Sequence, residues 1–291
     1  MFFELYYPRS RFLAIMLGME MMHGVLTSLF KIDTEKGKEI GSAFTPLCHE
    51  FNQFLDLPAD KKDMLLDPIL SVMKKLGRIA EAVDRYEILE EEKMENLIKR
   101  AQKDQSSVIL KHEDSSTQLE GAVEDVINSS KAALDAAVKI LKPLWGINLT
   151  TYGDAGEKVV KALKRNIPDK FQPNIITLAE VIQECSPWIR LIRNLRTKTE
   201  HLGVNIVSPL SVSITDKLAT KEYPLVDKSI PAKEFVNITY NNIFVFLQEF
   251  IVLSLGSRLL SGMIPVVVSG EGKNRKFGIA IKTVEAQDPK I

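Results

Sequence analysis

The sequence is poor in the residues that build covalent or metal frameworks. It has two cysteines, Cys48 and Cys185, in 291 residues. Two distant thiols make neither a disulfide scaffold nor a zinc cluster, so a reducing compartment, the cytoplasm, is the expected location. Of the four histidines, none has a partner at ligand spacing. His49 stands beside Cys48 without a second Cys/His pair, His23 lies among Met and Leu, and His112 sits in a polar stretch. No metal and no cofactor are expected. Glycine-rich phosphate loops are missing too. Gly270-Glu271-Gly272 has the look of a hairpin turn, and no strand–Gly-x-Gly-x-x-Gly–helix unit or Gly-x-Ser-x-Gly elbow occurs. Nor is there an excess of one charge. Lys+Arg and Asp+Glu both number 38, so any grip on nucleic acid has to be local.

Long uninterrupted apolar runs are equally scarce. Arg9 and Arg11 precede an apolar stretch from Phe12 to Met19, but Glu20 and His23 interrupt it and no small-residue cleavage pattern follows, so no secretory leader is expected. Ile243 to Leu255 contains Gln248 and Glu249 and falls short of the ~20 residues of a spanning helix. A buried helix and no membrane association are the expectation.

What is present is helical periodicity. Pro8 to Phe30 fits a helix capped by Ser10, its Met16, Met19, Met21 and Met22 suited to filling irregular core gaps. Glu35 to Leu55 fits a second, and Leu57-Pro58-Ala59-Asp60 breaks it. Further helices are expected over 61–84 and 86–104, with Pro68 marking a start or kink. Glu87, Glu90, Glu91, Glu92 and Glu95 are expected to form a solvated face. Residues 104–118 are polar and weakly patterned, and a linker or exposed loop with a domain or subdomain boundary is expected there.

Leu119 to Trp145 has the most regular pattern, with Ala132, Ala133, Ala136 and Ala137 forming a small-residue side that admits a neighbouring helix. A turn at Tyr152-Gly153, a helix over about 155–165 and a helix from Asn174 to Cys185 follow. Ser186-Pro187 fits an N-cap and first-turn pair, and Gly203 fits the left-handed residue that ends the next helix. In that helix Trp188, Ile192, Leu195, Thr199 and Leu202 make the expected buried stripe. An extended arm or short strand over 205–216, an apolar helix over about 233–260 and a β-hairpin (264–269 with 277–284) complete the chain. The expected fold is mainly α, a helical bundle with a small C-terminal β-hairpin. Its divisions are an N-terminal helical region (1–104), a helical bundle (117–204) and a C-terminal part (205–291) packing on that bundle.

The concentrated chemical signal is the stretch 190–201. Arg190, Arg193, Arg196 and Lys198 come without an acid among them, and Arg190, Asn194, Thr197 and His201 recur at i, i+4, i+7 and i+11, on the side opposite the apolar stripe. Guanidinium groups give planar donors to phosphate oxygens, and imidazole transfers protons near neutral pH. At a helix C-terminus the dipole favours the imidazolium form.

Trp188-Ile189-Arg190-Leu191-Ile192-Arg193-Asn194-Leu195-Arg196-Thr197-Lys198-Thr199-Glu200-His201-Leu202-Gly203 resembles the signature helix of HEPN-type domains, whose motif is an Arg, four to six residues, then a His. Arg196 and His201 fit with four residues between. Asn128 to Asp135 on a long helix, the Tyr152-Gly153 turn and the short helix extend the resemblance over about 117–204. The resemblance implies a homodimeric, metal-independent endoribonuclease or an idle relative that binds RNA or partners, in a defence setting with an antitoxin or defence protein as partner. It assigns His201 the role of general acid/base for attack by the RNA 2′-hydroxyl, and Arg196 that of phosphate holder. Arg190, Arg193, Asn194, Thr197 and Lys198 would serve RNA binding. The position after the Arg, often Asn in the family, is Thr197.

Two readings stay open. On an α-helix Arg196 and His201 lie about 140° apart, so geometry alone groups Arg193, Asn194 and His201 instead. The competing function is a non-catalytic helical scaffold that dimerises through the Ala-rich helix, which the neutral net charge favours.

Overall fold

A computed structural model describes residues 34–103, 109–111, 113–153, 155–168, 172–215 and 218–281. The expected helix over 8–30, with its methionines and His23, lies outside these residues, as do His112 and the end of the hairpin beyond 281. The architecture is a helical bundle with a small C-terminal hairpin, as the periodicity implied.

Helix α1 (Glu35–Pro46) begins at Thr34, whose side chain accepts from the Gly37 amide at 3.1 Å. It widens into a π-type turn over Leu47–Phe51. Helix α2 (Ala59–Lys103) is a single 45-residue element, not the two helices expected. Pro68 lies inside it. The missing amide costs a bond to the preceding turn, but burial of Leu65, Ile69, Val72, Met73 and Leu76 around it holds the helix together. The acidic face is not wholly solvated either: Glu90 is 5% exposed and accepts from the Tyr86 hydroxyl at 2.8 Å, while Glu87 accepts from Asn237.

Helix α3 (Glu113–Ala137) packs along α2, continues through a tighter turn and ends in α4 (Leu141–Trp145), where Gly146 takes φ 70°. Residues 104–118 therefore contain the link between two packed helices, and one apolar core draws on residues before and after them. The α2–α3 contact is itself part of that core. Ala133, Ala136 and Ala137 are buried within the same chain, so the small-residue side is already occupied and is not an open dimerisation face.

Helix α5 (Glu157–Asn166) leads to α6 (Gln172–Leu202), and a long connection leads to α7 (Ala232–Gly256). Helix α7 is the axis of the bundle, packed by α2, α3 and α6. Phe244, Phe246, Leu247, Gln248 and Val252 are all buried, and their positions around the helix place core on every side of it. By length and composition it is, among the described residues, the one helix able to cross a bilayer, yet 67% of its most apolar window is enclosed by the rest of the chain. Phe246 makes edge-on contacts with Tyr152 (5.8 Å) and Trp188 (6.1 Å), tying the turn before α5 and the middle of α6 to this axis.

The expected arm contains a strand. β1 (Ile109–Lys111), β2 (Ser211–Thr215) and β3 (Leu218–Glu222) form an antiparallel sheet with β2 in the centre. Leu210 and Val212 pack on Met94, Leu97 and Ala101 near the far end of α2. β4 (Leu225–Val226) and β5 (Ile230–Pro231) pair around a turn in which Asp227 and Lys228 have positive φ. β6 (Met263–Ser269) and β7 (Lys276–Ile281) form the expected C-terminal hairpin.

Candidate functional site on helix α6

Helix α6 runs unbroken through Ser186-Pro187, so this pair is not the helix start it suggests. Proline cannot donate to the carbonyl of Gln183, an omission that costs roughly 3 kcal/mol in a helix interior. Ile182, Ile189, Ile192 and Leu195 are buried on either side of it and offset that cost. The C-terminal end follows expectation. Gly203 adopts φ 59°, and the Val204 amide donates back to the Lys198 carbonyl at 3.0 Å. The buried stripe is shorter than expected, because Leu202 is 67% exposed where the chain turns away.

The polar row is on the surface. Arg190, Arg193, Asn194, Thr197 and His201 are all exposed. His201 has no hydrogen-bond or ion-pair partner among the described residues, whereas the Thr197 hydroxyl donates to the Arg193 carbonyl at 3.1 Å. Arg190 pairs with Glu157 of α5 at 2.7 Å, and Lys198 pairs with Asp227 of the β4–β5 turn at 2.6 Å. Exposed pairs of this kind contribute about 0–1 kcal/mol, so a polyanion can displace them.

Arg196 occupies different surroundings. It is half-buried and pairs with Glu200 one turn along the helix at 2.9 Å. Its Nε is buried without a hydrogen-bond partner. Glu200 lies close enough to Glu124 of α3 to push that carboxyl above its usual range, after desolvation by burial and the charge of Asp125. Glu120, one turn earlier, is raised mainly by burial as well, and accepts from the Ile206 amide at 3.0 Å. Arg196 thus belongs to an acidic flank of α6, and within one chain it does not join His201 on the polar row. Asp135 and the Tyr152-Gly153 turn are in contact. Asp135 accepts from the Tyr152 amide at 2.8 Å and pairs with Lys131, which fixes the Tyr152-Gly153 turn to α3.

Helix α5 forms where the sequence places a helix, and it brings a basic face that the candidate residues did not include. A groove of about 630 Å³ runs between α5 and α6. Lys161, Lys164 and Arg165 line it from α5, and Gln183, Ser186 and Arg190 from α6. The signal was available: Glu157–Arg165 holds four cations to one acid. Gly156 sets the width. Its φ is 80°, and a Cβ there would collide with the Ile182 side chain and the Tyr152 ring.

Cys48 is buried, which pushes its thiol up to about 12, and Cys185 is raised by burial too, so neither thiol is an activated nucleophile. Among the described residues no group of His, Cys, Asp and Glu is placed to hold a metal ion. No family model matches the chain, and comparisons with curated proteins and with solved structures return no match.

Proposed function

We propose that this chain is an HEPN-like RNA-binding protein that works as a cytoplasmic homodimer, with metal-independent endoribonuclease chemistry centred on His201. The observation that carries the reading is the exposed row of Arg190, Arg193, Asn194, Thr197 and His201 on α6. It offers guanidinium and amide donors to phosphate oxygens and ends in an accessible imidazole. In the proposed step His201 takes the proton of the RNA 2′-hydroxyl. The 2′-oxygen bonds to phosphorus, the bond to the 5′-oxygen breaks, and a second acid protonates that leaving oxygen. A second copy of α6 across a dimer supplies the acid and completes the phosphate grip. Within one chain Arg190 shares the side of His201 around the helix, and Arg193 lies beside that row and nearer along the axis.

The ion pair of Arg196 with Glu200 favours a second reading, RNA binding without cleavage. An antitoxin or defence protein is a partner for either form. A bare scaffold that dimerises through the Ala-rich helix is disfavoured by the burial of Ala133, Ala136 and Ala137.

The test is cleavage of single-stranded RNA in EDTA. His201→Ala should lower the rate about 10²–10⁴-fold, the range of a general acid/base. Cleavage that survives both His201→Ala and Arg196→Ala sinks the catalytic assignment, and cleavage that vanishes with EDTA sinks the metal-independent one.

A further inference from the structure

The groove between α5 and α6 lies in line with the polar row. From Arg190, the groove residues Gln183 and Ser186 and the row residues Asn194, Thr197 and His201 all fall within about 40° around the helix. One uninterrupted strip of α6 therefore runs from Gln183 to His201, about 27 Å at 1.5 Å per residue. Helix α5 forms a wall along the first part of it, carrying Lys161, Lys164 and Arg165. The floor is apolar, with Ala155, Val160 and Ile182.

We infer that this groove is a binding channel for a single RNA strand, extending the His201 site toward the N-terminal half of α6. The inference rests on the proposed function for the α6 row. Three kinds of group in the groove match three parts of a nucleotide. Lys161, Lys164, Arg165 and Arg190 meet phosphates. The aliphatic stems of Lys161 and Lys164, beside the edge of Val160, take a base or ribose face. The Ser186 hydroxyl and the Gln183 carboxamide suit the 2′-hydroxyl and base edges. The strip accommodates about eight phosphates at the ~3.4 Å spacing of a stacked strand. A duplex keeps its base faces stacked inside, so only a single strand can offer them to the groove. The Arg190–Glu157 pair links the two sides, and Glu157 is the acid a strand must displace to reach Arg190.

The test measures binding of a 2′-O-methyl RNA of about 10 nucleotides, which lacks the attacking hydroxyl, to the full chain by fluorescence anisotropy across a salt series. Replacing Lys161, Lys164 and Arg165 together by Gln should weaken binding about tenfold or more. It should also lower the steepness of the log K against log salt plot by about 2, since each lost phosphate contact removes ~0.7 for single strands. These side chains are exposed, and an unchanged melting curve verifies the fold. Glu157→Gln should act with the opposite sign and tighten binding two- to threefold, by about 0.4–0.7 kcal/mol at RT ≈ 0.59 kcal/mol, the size of an exposed ion pair. Wild-type binding that the triple variant leaves unchanged overturns the channel while the His201 reading stands. Duplex RNA of equal length binding as tightly as the single strand also overturns it. A wild type that binds no RNA at all overturns both.

Discussion

The two flanks of helix α6 are built to different electrostatic rules. On one flank Arg196 pairs with Glu200, which lies near Glu124, and its charge is met by an acid of its own helix in a half-buried setting. On the other, Arg190, Arg193, Asn194, Thr197 and His201 stand at the surface beside the cations of α5. A motif written as Arg, four residues, His joins the two flanks as a string of letters. The fold separates them. A short motif therefore reports which residue types are present, while the neighbouring helices decide which of them remain available to a ligand.

This contrast can be broken at several points. The largest effect is expected at Gly156. Gly156→Ala forces a Cβ against Ile182 and Tyr152 at a positive φ, and should cost ~2–4 kcal/mol. Thermal melting should show a loss of roughly 4–16 °C for a chain of this size. RNA affinity should fall with it, because α5 cannot hold its distance from α6.

Next comes a comparison of arginines. Arg193→Ala should weaken RNA binding about five- to tenfold, and Arg196→Ala less than twofold, if phosphate contacts belong to the exposed flank. The reverse order in the same anisotropy assay would show that dimerisation or ligand draws Arg196 out of its pair with Glu200. Arg196→Ala should instead show its effect in the melting curve, by unbalancing the acids beside it.

A smaller effect tests the acidic flank by pH. The Glu124 carboxyl is raised by burial first and by Asp125 and Glu200 after it. A carboxyl whose folded value lies above its unfolded one favours folding at low pH and loses that contribution as pH rises through the folded value. Glu124→Gln should therefore raise the melting temperature by about 1–3 °C at pH 7, and the gain should shrink toward pH 4. A constant gain across that range would mean that charge at Glu124 is not the cause. The smallest effect is expected at Lys198→Ala, which removes an exposed pair with Asp227. It should change stability by no more than ~1 kcal/mol in denaturant melts and leave RNA binding within a factor of two.

Much of this was legible in the sequence, and the misses share a cause. Local signals read true where they act locally: Gly146 and Gly203 end their helices, the C-terminal hairpin forms, and the row from Arg190 to His201 is exposed. Signals that compete with tertiary packing read false. Ser186-Pro187 has the chemistry of a helix start, but apolar residues on both sides keep α6 continuous. The same holds for Pro68 in α2. The polar stretch around residue 110 hid a strand because β1 is specified by its partner β2 and not by its own alternation. The destination of Arg196 depends on Glu200 and on an acidic patch that α3 brings from far away in the chain, which no local pattern encodes. The α5 cations were visible as composition, but only the packing set by Gly156 turns them into one side of a groove.

The axial position of α7 has a consequence for how the protein is made. Among the described residues this is the segment a cell's membrane-insertion machinery would find most attractive, and it is synthesised after α2, α3 and α6, the helices that enclose it. By the time α7 leaves the ribosome its receiving surface already exists, so the chain order shortens the interval in which a sticky helix is uncovered. A circular permutant that moves α7 ahead of those helices keeps every contact of the folded bundle and loses that head start. It should reach the same structure on slow refolding in vitro and yet accumulate in the insoluble fraction when expressed.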